Sequence, residues 1–130
     1  MAQFKVLEQS LEKFLIHDKN FANKIVFVRH AETFAGIGGT LAGWSDTRLT
    51  VKGRETSHLL YGPFSKFYKN FNGIYTSDLR RTMDTAEISL GFGEHSFKTD
   101  ERLRELYFGK EEGLHFDSLP DSEKERVGSM

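Results

Sequence analysis

The run Ile25-Val26-Phe27-Val28 stops abruptly at Arg29-His30, and it constrains the chain more than any other stretch. β-Branched and aromatic residues without alternation fit a strand covered on both faces, as in the parallel sheets of α/β proteins. Sheets of that kind bind ligands just beyond the carboxyl ends of their strands. The run is therefore expected to deliver one fixed cation, Arg29, and one imidazole, His30, to the rim of a sheet.

The elements around it follow from period and punctuation. Phe4, Leu7, Leu11, Phe14 and Leu15 recur at helical spacing, with Lys5, Glu8, Glu12 and Lys13 on the wet side. Phe34 to Arg48 is rich in glycine and small polar residues and reads as a long surface loop. Thr50 is placed to cap a helix whose apolar positions include Leu59, Leu60, Phe64 and Phe67, and Gly62-Pro63 should kink or divide it. Gly73–Thr76 is a second strand. Ser77 or Asp78 then caps a helix that turns Leu79, Met83, Ala86 and Leu90 to the core and stops at Gly91. Phe97–Thr99 is a third strand, Arg102–Gly113 an irregular charged segment, and Asp117–Met130 a polar end where a helix begins. This alternation predicts an α/β fold, a mostly parallel sheet flanked by helices. Three short strands make a small sheet, so the fold reads as an incomplete version of a larger one.

Composition narrows the function classes. With 130 residues the chain can build one domain around one core. A net charge of −1 gives no field that would draw nucleic acid or an anionic membrane. The absence of cysteine excludes disulfides, thiolate zinc sites and a cysteine nucleophile. The N-terminus lacks the apolar core of a signal peptide, and no apolar run approaches a membrane span, so a cytoplasmic protein is the expectation.

Polar clusters follow the strand ends. Arg29, His30 and Glu32 follow the first; Ser77, Arg80 and Arg81 the second; Arg102, Arg104 and Glu105 the third. Singly, each has an ordinary reading as a solvated strand end or a surface carboxylate. Together they suit a dianion such as phosphate, since the planar fork of arginine holds two oxygens at once and helix N-termini add backbone N–H groups. Arg80-Arg81 also sits in a first helical turn, against the dipole preference. His17, His58, His95 and His115 lack such a setting and read as surface residues. Trp44 reads as a packing anchor for the long loop.

Four motifs then come in order. They are Arg29-His30-Ala31-Glu32-Thr33, Gly43-Trp44-Ser45-Asp46 continuing through Leu49-Thr50 to Gly53, Ser77-Asp78-Leu79-Arg80-Arg81 continuing to Thr85-Ala86, and Leu103-Arg104-Glu105-Leu106-Tyr107-Phe108-Gly109 ending at Gly113. In this order and spacing they resemble the histidine phosphatase superfamily, the phosphoglycerate mutase-like group. The resemblance runs from residue 24 to about 119, which leaves 1–23 as a helical extension and 120–130 as a polar tail. It implies that His30 takes the phosphoryl group, that Arg29 and Arg81 hold the phosphate oxygens, and that Glu105 gives the leaving alcohol its proton. Arg80 falls at a variable position. No metal or cofactor is implied, and the sequence offers no metal-ligand cluster. The implied partner is a small phosphorylated substrate, with no nucleic acid and no membrane.

The chain departs from that pattern in three places. Ala31 stands where the family has glycine, which narrows the pocket. Gly36 and Thr40 stand where the mutases carry an asparagine and an arginine, which tilts the expectation from mutase to phosphatase. The family also has a second pocket histidine on a later strand, and nothing after His115 supplies it; the family's later strands and helices are missing too, so the resemblance implies a phosphoglycerate mutase-like fold that is C-terminally incomplete. The expectation is a metal-independent phosphatase of a small metabolite working through a phosphohistidine. Phosphoglycerate mutase-type transfer is the alternative, and a truncated phosphate-binding protein with little or no activity is a third reading. A nucleotide-binding domain is disfavoured, because no Gly-rich phosphate loop is present. An unpaired sheet edge would favour self-association, so a homodimer is expected.

Overall fold

The computed structural model describes residues 25–128. The helix expected over Phe4–Leu15 lies outside them. In chain order the described elements are α1 (Phe34–Ile37), α2 (Val51–Leu59), α3 (Tyr61–Phe67), β1 (Tyr75–Thr76), α4 (Arg80–Ser89), β2 (Lys98–Thr99) and α5 (Asp121–Gly128), with short 3₁₀ turns between. β1 and β2 pair in parallel, Tyr75 opposite Lys98 and Thr76 opposite Thr99, and α4 is the crossover between them. The fold is thus α/β with a small parallel sheet.

Thr50 caps α2 as expected: its hydroxyl accepts the N–H of Gly53 at 3.0 Å. The helix divides at Leu60, ahead of Pro63. A proline lacks an N–H and clashes with the carbonyl four residues back, but it is tolerated in a first turn. Starting α3 at Tyr61 puts Pro63 in that turn, where it is buried.

α2 packs on α4 through small residues. Ser57 is buried there, and the Ser89 hydroxyl of α4 donates to its carbonyl at 3.1 Å; Gly53 is buried against the Glu32 backbone. Arg54 and Asp84 close the rim at 3.7 Å. Leu59, expected on the core side, is exposed. It lies two residues past Ser57, and a two-residue step turns a helical side chain to the opposite face. The apolar core is small: Leu49, Phe64, Leu79, Ile88, Leu90 and Leu119.

Two expectations change. Ile25–Val28 makes no sheet pairing among the described residues, and Ile25 and Phe27 are 78% and 88% exposed. A strand requires a neighbour for its ladder, and the two described strands pair with each other. The helix after β1 is capped neither by Ser77 nor by Asp78. Leu79 occupies the cap position, and Asp46 from the loop accepts the Arg80 N–H at 2.7 Å. The buried stripe of α4 is Arg81, Thr85, Ile88 and Ser89, while Met83 and Ala86 are half-buried. Among the described residues no helix is long and apolar enough to cross a membrane.

Candidate active site

His30 stands at the mouth of an open cleft of about 300 Å³, with Arg29, Glu32, Thr33, Gly36 and Ile37 around it. Its Nδ1 lies 2.8 Å from the carbonyl oxygen of Ala31. A carbonyl can only accept, so Nδ1 carries the hydrogen and Nε2 holds the lone pair in the neutral ring. Burial pushes the His30 pKa below its ordinary 6.5. The bond to Ala31 works the other way. The positive charges of Arg81 and Arg29 lower it further, while the carboxylate of Glu105 raises it.

The residues after His30 are held from two sides, α4 and an isolated antiparallel bridge between Thr33 and Leu49. The Ala31 N–H donates to the Thr85 hydroxyl of α4 at 3.0 Å. The carbonyl of Glu32 accepts the Thr50 N–H at 3.0 Å, and its carboxylate accepts the Thr50 hydroxyl at 2.7 Å. So the cap of α2 and the middle of α4 both fix the residues beside His30.

Arg81 reaches inward from the first turn of α4 and is 2% exposed. It donates from Nη2 to the Gly43 carbonyl at 2.8 Å and from Nη1 to the Ser45 carbonyl at 3.1 Å. Its Nε is buried with no partner among the described residues. Burial pulls the guanidinium below its ordinary value, against the carboxylates of Glu105, Asp46 and Glu112. A buried cation with a donor unspent is costly unless an anion completes it.

Arg29 lines the cleft with His30, while Arg81 and Glu105 bear on His30 through their charges without lining it. Arg29 is exposed beside the cleft. Glu105 is exposed, and its Oε1 accepts the Leu106 N–H at 2.9 Å. Arg80 lies on the exposed side of α4. His58, His95 and His115 do not line the cleft: the first two lie against Tyr61 and Tyr68, and His115 pairs with Thr40 and accepts the Asp117 N–H. Among the described residues no group of three or more metal-ligating side chains could hold a metal ion.

Several supports had no sequence signal of their own. Asp46 as the cap of α4 and Thr85 as the acceptor for Ala31 are polar residues whose partners lie 34 and 54 positions away. Glu112 accepts the Trp44 N–H at 2.7 Å across 68 positions. Trp44 itself is 44% exposed, a surface tie more than a buried anchor.

Comparison with known proteins gives this arrangement its context. The family profile of the histidine phosphatase superfamily (branch 1) matches residues 25–130. Putative phosphoserine phosphatase 2 of Hydrogenobacter thermophilus is 35% identical over 102 residues, which cover 78% of this chain and 49% of that protein. Probable phosphoglycerate mutase GpmB of Yersinia enterocolitica is 34% identical over 102 residues, 78% of this chain and 46% of that one. The crystal structure of TTHB049 from Thermus thermophilus superimposes with a TM-score of 0.66 at 34% identity, covering 78% of this chain and 55% of that one. The chain spans about half the length of the curated relatives it matches. It belongs to the histidine phosphatase superfamily.

Proposed function

We propose that this chain carries the phosphoryl-accepting site of a metal-independent phosphomonoesterase acting on a small phosphorylated metabolite through a phosphohistidine. The observation that carries the reading is the 2.8 Å approach of His30 Nδ1 to the Ala31 carbonyl oxygen, which leaves Nε2 as the bare nitrogen of the neutral ring. With Nδ1–H given to the Ala31 carbonyl and the pKa lowered by burial, Nε2 is an available nucleophile at neutral pH.

In the first step the Nε2 lone pair forms a bond to phosphorus, and the phosphorus–ester oxygen bond breaks. Arg29 and Arg81 face the charge on the phosphoryl oxygens, and the carboxyl of Glu105 passes its proton to the leaving alkoxide. In the second step water attacks phosphorus, its proton goes to the Glu105 carboxylate, and the nitrogen–phosphorus bond breaks to return neutral His30. Both relatives' names fit this first step. The phosphatase outcome is favoured by two positions: Gly36 has no side chain to offer, and the Thr40 hydroxyl is spent on the Ala35 carbonyl at 3.3 Å. Neither supplies a grip on a second acidic group of a substrate.

Hydrolysis of a generic aryl phosphate in EDTA, comparing the chain with His30→Ala, tests the reading. Activity lost in the variant supports it. Equal activity in both, or none in the parent, removes it.

A further inference from the structure

Trp44 stands between the two residues whose carbonyls Arg81 grips, Gly43 and Ser45. Its indole Nε1–H donates to the carbonyl oxygen of Glu105 at 2.8 Å. The neighbours of Glu105 close on the same ring. The Arg104 guanidinium carbon is 4.8 Å from the ring centroid, and the Tyr107 ring centroid is 4.9 Å away at 45°. Both ends of this contact are themselves held. Arg104 donates to both carboxylate oxygens of Asp78, and the Trp44 N–H donates to Glu112 Oε1. Glu105, by contrast, lies in an irregular segment with an exposed side chain. No helix or ladder fixes it, so its place is set by whatever holds its backbone.

We propose that Trp44 is a positioning residue: its indole N–H hangs the Glu105 backbone on the loop that Arg81 anchors, and so sets the proton-donating carboxyl against the phosphate-holding arginine. This rests on the proposed role of Glu105. Trp44 touches no reacting atom. The ring contacts with Tyr107 and Arg104 could be made by any aromatic side chain, whereas the bond to the Glu105 carbonyl needs a donor, and phenylalanine has none. Misplacing a reacting group by about 1 Å can cost on the order of 10²-fold in rate, so one hydrogen bond at this point has leverage.

The full chain, Trp44→Phe, Glu105→Gln and the double variant are compared on two substrates in EDTA. One is an alkyl phosphate, whose alkoxide needs a proton to leave; the other is a dinitrophenyl phosphate, whose phenolate leaves without one. In Trp44→Phe the ratio of alkyl to aryl kcat is expected to fall about 10-fold, a part of the 10²–10⁴ that a general acid contributes. In the Glu105→Gln background the same substitution should change the ratio no further. An equal loss on both substrates, or an undiminished effect in that background, overturns the proposal. Amide exchange at Leu106 reads the tie without turnover: faster exchange in Trp44→Phe with α2 and α4 unchanged supports it, and unchanged exchange overturns it. A parent chain that turns over neither substrate removes the phosphatase reading, and the exchange measurement then decides the tie by itself.

Discussion

Gly53→Ala is the substitution whose sign separates this structure from helix propensity. Gly53 is the third residue of α2, and alanine is the better helix former by up to about 1 kcal/mol. Propensity alone thus predicts a more stable protein. A Cβ added at Gly53 would lie 2.2 Å from the carbonyl oxygen of Glu32 and 3.1 Å from its backbone nitrogen and carbon. Ordinary contact begins near 3.4 Å, so the backbone must move by more than an ångström. Overpacking of this kind costs about 1–3 kcal/mol. The shift also loosens the bonds from the Thr50 N–H and hydroxyl to Glu32, each worth about 1 kcal/mol net. Less the propensity gain, the expected loss is about 2–4 kcal/mol, or roughly 10–15 °C in Tm for a domain of this size. Urea and thermal unfolding measure it, with Gly128→Ala as the control. There an added Cβ meets nothing, and the change should stay within about 0.5 kcal/mol. Because Glu32 is two residues from His30, phosphate binding should weaken in the same Gly53→Ala protein. A Gly53→Ala protein as stable as its parent, or more so, would refute the reasoning.

Three further outcomes follow from the same geometry. Asp46→Ala removes the cap of α4 and a carboxylate at its N-terminus, at a cost of about 1–2 kcal/mol, while Asp46→Asn keeps the hydrogen bond and loses less than about 1; equal losses in urea unfolding would count against it. Arg81→Lys trades the planar fork that spans both loop carbonyls for a single point charge and should cost about 1–3 kcal/mol together with most phosphate binding, read by calorimetric titration; binding kept intact would show that Arg81 is only structural. The acid limb of kcat/KM should lie below pH 6.5, because burial and two arginines lower the His30 pKa and the neutral ring is the reactive form. The linkage has the same sign: the folded state binds fewer protons at His30 than the unfolded one. This contribution to stability is present above pH 6.5 and is lost as pH falls through the lowered value, a dependence His30→Ala should flatten.

Local signals were legible where the partner is a near neighbour. The Thr50 cap of α2, the break ahead of Pro63 and the order strand, helix, strand around α4 all depend on residues a few positions apart. Motif order put His30, Arg29, Arg81 and Glu105 forward together as candidates for one site. What could not be read was set by distant partners. Apolar character at Ile25–Val28 states a preference for burial, but pairing depends on which strands arrive beside it. Period alone turned Met83 and Ala86 of α4 inward, whereas the buried stripe follows Arg81 and Thr85, because the loop carbonyls and the Ala31 N–H lie on that side. Asp46 displaced Ser77 and Asp78 as the cap for the same reason: it comes from the loop that Arg81 anchors.

The central claim is that Nε2 of His30 takes the phosphoryl group, and the direct measurement is to trap it. The full chain is mixed with an aryl phosphate in EDTA, quenched in alkali, where a phosphoramidate survives and an acyl phosphate does not, and mapped by mass spectrometry. The prediction is a phosphoryl group on the peptide that contains His30, absent from His30→Ala. A phosphoryl group on another residue, or turnover that persists in His30→Ala, would contradict it.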